Sequence, residues 1–420
     1  MKKRFFSLIL IISILVCLCS CSATTVNFDN FDGRFSPFFA LREADLSVTD
    51  MVHETILVTD PDNGGNIMNA YDEGIGIANI TLDDSDKTKL VCTIEIGKDV
   101  TFSDGTPVTA DDVIFSMYVY ADNDYEGWSA FGISEIDGLK NYKYNNSLAE
   151  NIALTEQQLD KALENPDEEL TALIKEKIIH PILEDEYKWI MRAYDDAAYV
   201  GTEIGQYMGI YPEAKDLFAY LYSIDENYDS KNVESGEQVL EDIKKQYGID
   251  YKTLSDVIGE IDLTATARRC AEEVTTRNML EATGGEAVEN IRGIEKVDEH
   301  TVRVTINSQE DNQFRSTLGI YVAPLHHYGN KAQYDYENNK FGFTRNDLDS
   351  VREKNEQPLG AGRYLLKEYK DGKTVTFKEN KNCYIKNSGA LSVTFKATGN
   401  SAENKLHEYY TNYENYTASR

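Results

Sequence analysis

The chain has 420 residues, a formal net charge of −30 at pH 7 and 41% apolar residues, with a mean hydropathy of −0.47. That acidity excludes nucleic acid and anionic lipid surfaces as electrostatic partners, because both repel a strongly negative protein. The length and apolar content suffice for two or three packed domains.

Lys2, Lys3 and Arg4 precede an apolar run from Phe5 to Leu18, a basic start followed by a stretch too short to span a membrane comfortably. Residues 1–20 therefore read as an export signal. Leu18-Cys19-Ser20-Cys21 has the form of a lipobox, which would make Cys21 the lipidated new N-terminus. The alternative is an ordinary cleavable signal in which these cysteines are incidental. A diacylated cysteine supplies two chains, enough for stable anchoring where one is marginal. The expected location is the cell surface or periplasm, and loss of Lys2, Lys3 and Arg4 takes the formal charge from −30 to −33. Of six cysteines, Cys92, Cys270 and Cys383 then remain free, an odd number at wide spacing with neither a disulfide framework nor zinc spacing.

From Leu90 to Ile96 apolar and polar residues alternate, which predicts a strand with Leu90, Cys92, Ile94 and Ile96 on its buried face. Ser103-Asp104-Gly105-Thr106-Pro107 supplies turn chemistry. Thr109 then caps a helix whose Asp112 occupies the capping-box position. Val113, Ile114, Met117, Tyr118 and Ala121 form its core-facing stripe. Residues 141–285 change texture to helical windows: Leu159, Leu163, Leu170, Ile174, Ile178 and Ile182 recur at helical steps, with Pro166 and Pro181 expected to break or kink the pattern. Further apolar series lie at Leu217 to Tyr222, Val239 to Tyr247 and Leu254 to Ile261. This insert either closes over a ligand, touches a partner, or is a tolerated excursion from a loop. Tyr364 to Glu368 and Thr374 to Lys378 predict a hairpin around Asp371-Gly372. Ser401 to Arg420 is polar and tyrosine-rich, the composition of a frayed tail.

Phe102-Ser103-Asp104-Gly105-Thr106-Pro107-Val108-Thr109-Ala110-Asp111-Asp112-Val113 resembles the recurrent "F-SDG-P-TA-DV" segment of family-5 solute-binding proteins, the peptide, dipeptide and nickel receptors of ABC transporters. Further segments are similar in the same order. Phe35 to Ala40, with Asp45 and the amphipathic run Met51 to Leu57, looks like the family's opening passage. Asn290 to Ile294 with Val302 to Ile306, then Val322-Ala323-Pro324-Leu325-His326, looks like its later hairpin and "P-H" turn. Pro358 to Tyr364 is close to "GTGPY", with Arg363 in place of the usual proline.

The resemblance implies an α/β, periplasmic-binding-protein-like (type II) first lobe with a mixed sheet. Residues 21–140 would supply the N-terminal part of that lobe and an accessory domain, 141–285 an acidic helical insertion, and 286–400 the rest of the lobe and the start of the crossover to a second one, entered along Leu391 to Phe395. The second lobe is expected to be missing and 401–420 to be a disordered tail, as in a truncated product or a one-lobe variant. Such a form would leave sheet edge unpaired and bind oligopeptides weakly or not at all. The implied partners are a peptide ligand, ABC permease subunits and the membrane through Cys21, with the protein a monomer. The implied ligand-binding residues are Leu41, Arg42 and Glu43 after the opening motif and the Gly360-Ala361-Gly362 turn, whose lack of bulk admits close approach. Trp128 is either an aromatic wall of that cleft or a core residue.

No G-x-S-x-G elbow, H-E-x-x-H helix or P-loop occurs, so no catalytic residues, metal or cofactor are expected. Asp225-x-Asn227-x-Asp229 and Asp60-x-Asp62-x-Gly64-Gly65 imitate calcium loops, but Ser230 stands at the first one's glycine position and neither has Glu at the twelfth. His326 is read as structural. Two other classes compete: a lipid-anchored hydrolase, which needs convergent titratable groups, and an interaction module on the insert, which needs an exposed apolar patch there.

Overall fold

A computed structural model of the chain describes residues 24–28, 31–60, 63–127, 129–184, 241, 244–245, 247–252, 254, 263–370, 372–384 and 392–397. Cys21, Trp128, Leu217 to Tyr222, much of Val239 to Ile261, the Asp225 pattern and residues 401–420 lie outside them. The described residues divide into two compact units, one formed by residues up to Ser147 and from Glu286, the other lying within Leu148–Gly285.

The main elements begin with β1 (Thr24–Phe28), α1 (Glu43–Val52), β2 (Ala78–Asp83), β3 (Leu90–Ile96) and α2 (Ala110–Ala121). The second unit contributes α3 (Glu156–Glu164), α4 (Glu168–Ile174) and α5 (Leu263–Thr283). The chain then forms β4 (Ile294–Lys296), β5 (Thr301–Ile306), α6 (Asp311–Leu318), α7 (Leu325–Tyr328), β6 (Tyr364–Lys370), β7 (Thr374–Glu379) and β8 (Ser392–Ala397).

In the first unit, one four-stranded sheet has the order β1-β8-β7-β6 and is mixed. β1 runs parallel to β8, from Thr24 opposite Val393 to Phe28 opposite Ala397, and the other pairs are antiparallel. The β6–β7 hairpin forms as its alternation predicts, with a bulge between Leu366 and Glu368. Its turn includes Gly372 at φ +63°, a conformation that glycine adopts without steric cost. Helix α1 covers this sheet, packing Ala44, Val48 and Val52 among Phe28, Phe31, Phe35, Val375, Phe377, Val393 and Phe395. Strand β8 contains most of the stretch read as the entry to a second lobe. It is an interior strand of this sheet, and its Val393 and Phe395 complete this core.

The second sheet, β2-β3-β5-β4, is antiparallel throughout. Strand β3 buries Leu90, Cys92, Ile94 and Ile96, as alternation predicts. Burial pushes the Cys92 thiol up to about 12, so it is an inert core group. Helix α2 departs from a simple stripe: Ala110 and every residue from Asp112 to Ala121 are buried. The physical reason is a second layer, in which Phe341 stacks on Tyr118 with ring centroids 3.4 Å apart and Phe343 meets Phe115 edge-on. A helix covered on all sides carries no polar face.

In the second unit α3 and α4 are separated at Pro166, as expected. Pro181 does not break the chain's helical path. A π-type turn, Lys175–Ile179, precedes it, and such a turn absorbs the missing amide bond and ring clash of an interior proline. It also shifts the buried face: Ile174, Ile178, Ile179 and Leu183 are buried, whereas Ile182 is half-buried. Helix α5 packs against α3 and α4. Among the described residues, no helix is long and apolar enough to cross a membrane.

Candidate functional site

Helix α1 carries the sequence candidates at its two ends, and ten residues at about 1.5 Å rise keep those ends roughly 15 Å apart. At the N-terminal end Arg42 occupies the cap position, and its Nε donates to Asp32 Oδ2 at 2.5 Å. Asp45, fully buried, accepts the backbone N–H groups of Asp32 (3.1 Å) and Arg34 (3.4 Å). Burial, with the Asp32 charge adding, pushes its carboxyl up to about 6. Leu41 and Arg42 are half-buried and Glu43 is exposed. This end is a clasp holding the loop 32–34 to the helix.

At the C-terminal end the Gly360-Ala361-Gly362 turn lies directly on the helix. The Gly362 N–H donates to Val52 O at 2.8 Å. A Cβ on Gly360 would stand 2.3 Å from that oxygen, and one on Gly362 2.6 Å from the Val52 carbonyl carbon. The group that approaches these glycines is therefore the chain's own helix terminus. His53, buried, closes the joint. Its Nδ1 lies 3.1 Å from Thr49 O and its Nε2 3.1 Å from Tyr328 Oη, which accepts the Leu359 N–H at 3.2 Å. A carbonyl can only accept, so Nδ1 carries the proton and the tyrosine hydroxyl donates to Nε2. Burial holds this imidazole neutral, with its pKa lowered to about 3.

The motifs recognised separately in the sequence meet here. The Ser103 N–H donates to Gly360 O at 2.9 Å, and Asn382 Nδ2 donates to Ser103 O at 2.9 Å. Asn380 Nδ2 donates to Gly362 O at 2.7 Å. Asp104 Oδ2 pairs with His326 Nε2 at 2.7 Å, which gives His326 a structural partner. Asp112 reaches back to the Thr109 N–H at 2.9 Å, as the capping box predicts. Its other oxygen accepts the Leu325 N–H at 2.9 Å, pinning α2 to α7.

Beside the joint stand Asp50 and Glu54, which the sequence reading passed over. Both are half-buried, four residues apart at the end of α1. Tyr321 Oη donates to Asp50. Burial drives the Asp50 carboxyl up to about 6, with the tyrosine bond opposing. Burial drives Glu54 up to about 8, with Arg363 opposing and Asp50 adding. Arg363 acts only through space, and among the described residues no cation bonds either carboxylate. The negative end of the helix dipole disfavours both further. Tyr384, which senses Glu54 and Arg363, buries its hydroxyl without a hydrogen-bond partner. A ligand ammonium would supply the counter-charge that favours the ionised forms of Asp50 and Glu54. The signal available in the sequence was a pair of acids four apart flanking the apolar run from Met51. Thus Gly360 to Gly362 join this cluster, whereas Leu41 to Glu43 sit at the other end of the helix. Among the described residues, no group of three or more His, Cys, Asp or Glu side chains is arranged for a metal.

The family model for bacterial extracellular solute-binding proteins, family 5 (middle region), matches residues 80–208 and 220–405. No curated protein matches. Among solved structures, the Bacillus subtilis oligopeptide-binding protein AppA in complex with a nonapeptide is 14% identical, with a TM-score of 0.43, over 92% of this chain and 42% of that one. A periplasmic oligopeptide-binding protein from Borrelia burgdorferi is 14% identical, TM-score 0.41, over 93% of this chain and 46% of that one. Campylobacter jejuni NikZ in complex with Ni(L-His) is 14% identical, TM-score 0.38, over 93% and 42%. The chain spans less than half the length of each.

Proposed function

Because the chain belongs to the family-5 bacterial extracellular solute-binding proteins, we propose that it captures peptides for an ABC importer, with the end of α1 facing the ligand. The observation that carries this reading is the pair of half-buried carboxylates, Asp50 and Glu54, without a bonded cation and beside Arg363. A peptide N-terminus brings an ammonium, the counter-charge these two carboxyls lack. The neighbouring turn, fixed by Val52, His53 and Ser103, gives those side chains a rigid base. Anchoring through acylated Cys21, delivery to permease subunits and a monomeric state complete the proposal. The insert is proposed as an excursion from a loop. Among the described residues its exposed surface shows none of the large apolar side chains that an interaction module needs, since those exposed are Leu82, Ile133 and Val297.

Residues 21–420 are expected to bind short peptides weakly, with Kd roughly millimolar. Calorimetric titration with a tripeptide and its N-acetylated counterpart tests this. The free amine should bind and the blocked one should not. Equal affinity for both, or micromolar binding of either, would contradict the reading.

A further inference from the structure

Away from α1, the first unit contains a groove of about 620 Å³ between segments 142–145, 287–289 and 332–345, a size within the roughly 300–1,000 Å³ of small-molecule sites. Its most ordered charge is Arg345. The guanidinium donates to the Val288 carbonyl at 2.9 Å, to the Tyr142 carbonyl and to Asn145 Oδ1 at 3.4 Å. It also stacks on the Tyr142 ring, 4.0 Å from the centroid. All these partners are uncharged. Arginine stays protonated at any physiological pH, so the groove holds a fixed cation with no carboxylate bonded to it among the described residues. Lys340 adds a second positive charge and Glu289 a single negative one. The lining side chains thus carry one more positive than negative formal charge, and the buried Asp122 carboxylate acts on Arg345 through space.

The backbone gives a second observation. Among the described residues, the non-glycine positions with left-handed φ are Asn145 (50°), Asn339 (55°) and Asn346 (61°). The first two line the groove and the third follows Arg345. Asparagine adopts this region more readily than other non-glycine residues, and Asn145 and Asn339 each end a short helical turn, which sets their amides at the rim. Here they converge on one concavity.

We propose that this groove is a second binding site, for a small hydrogen-bonding solute that carries a carboxylate or phosphate group. Arg345 and Lys340 take the anion, and the amides of Asn339 and Gln333 take the polar remainder. The fixed guanidinium favours a planar or tetrahedral oxyanion that accepts two bonds at once. The site is independent of peptide capture at α1, since the two share no residue.

The test is calorimetric titration of residues 21–420 with succinate and with inorganic phosphate, repeated on Lys340→Glu and Glu54→Gln. Arg345 also ties Tyr142 to Val288, so Lys340→Glu, on the exposed rim, is the deciding variant, with circular dichroism confirming its fold. Saturable binding of either probe, weakened at least tenfold by Lys340→Glu and unchanged by Glu54→Gln, supports the site. Succinate alone assigns a carboxylate, phosphate alone a phosphate ester, and both any compact anion. Binding of neither probe, or affinity indifferent to Lys340→Glu, overturns it, and neither outcome alters the peptide titration that tests α1.

Discussion

The two units differ in how polar groups join their segments. In the helical unit most described ion pairs sit at the surface, such as Arg268 with Glu156 and Asp160 and Arg277 with Glu169 and Glu273, on side chains between 33% and 80% exposed, while Lys244, paired with Glu184 and Glu241, is 15% exposed. The first unit has exposed pairs too, such as Arg303 with Glu295 and Arg315 with Asp311, but it adds buried polar joints between segments far apart in sequence. Asp112 binds Leu325, His53 binds Tyr328, and Ser103 binds Gly360. Exposed pairs decorate a fold that apolar packing has already decided, whereas buried polar joints fix geometry, because breaking one leaves an unsatisfied group. The carboxylates proposed to meet the ligand stand beside such a joint.

Substitutions at the joint should therefore cost far more than substitutions on the helical surface. The largest effect is expected from Gly360→Ala, whose Cβ would collide with Val52 O. Denaturant unfolding should show a loss of about 3 kcal/mol or more. Tyr328→Phe comes next. It strips the acceptor from the Leu359 N–H and the donor from His53 Nε2, and should cost about 2 kcal/mol.

The third test is pH. Glu54 titrates near 8 folded against 4.5 ordinarily, and Asp50 near 6 against 3.8. Both folded values are raised, so the folded protein holds more protons across these windows and is favoured below them. Stability should fall as pH rises from about 4 to about 8. Glu54→Gln should remove the part of that slope between about pH 6 and pH 8, where Asp50 and Asp45 are already ionised. It should raise stability at pH 8 by about 1–2 kcal/mol, allowing for the solvent the side chain still touches. Paired urea melts at acidic and mildly alkaline pH would show it. The smallest effect is expected in the other unit: Arg268→Ala should change stability by no more than about 0.5 kcal/mol. A larger loss there would erase the contrast between the units.

What the sequence disclosed was chiefly local. The alternation of β3, the Thr109–Asp112 cap and the β6–β7 hairpin each depend on residues within a few positions, and each forms as its pattern predicts. The motifs were visible, but their mutual contacts were not, because His326 meets Asp104 across 222 positions. The glycines at 360 and 362 were read as space for a ligand or a second lobe, and the close neighbour is the end of α1. No local pattern could supply that partner. The buried face of the segment after α4 slipped because a π-type turn changes the period in mid-run. Asp50 and Glu54 escaped notice because acids in an amphipathic run ordinarily mark its solvent face, and only the tertiary fold covers them.

The most direct measurement is a carbon-detected NMR titration of the Glu54 carboxyl in the presence and absence of a free-amine peptide. If this carboxylate receives the ligand's ammonium, its pKa should drop from about 8 toward the ordinary 4.5 as the peptide saturates. A value unmoved at saturation would show that the peptide binds elsewhere and would contradict the assignment of the α1 terminus as the ligand-facing site.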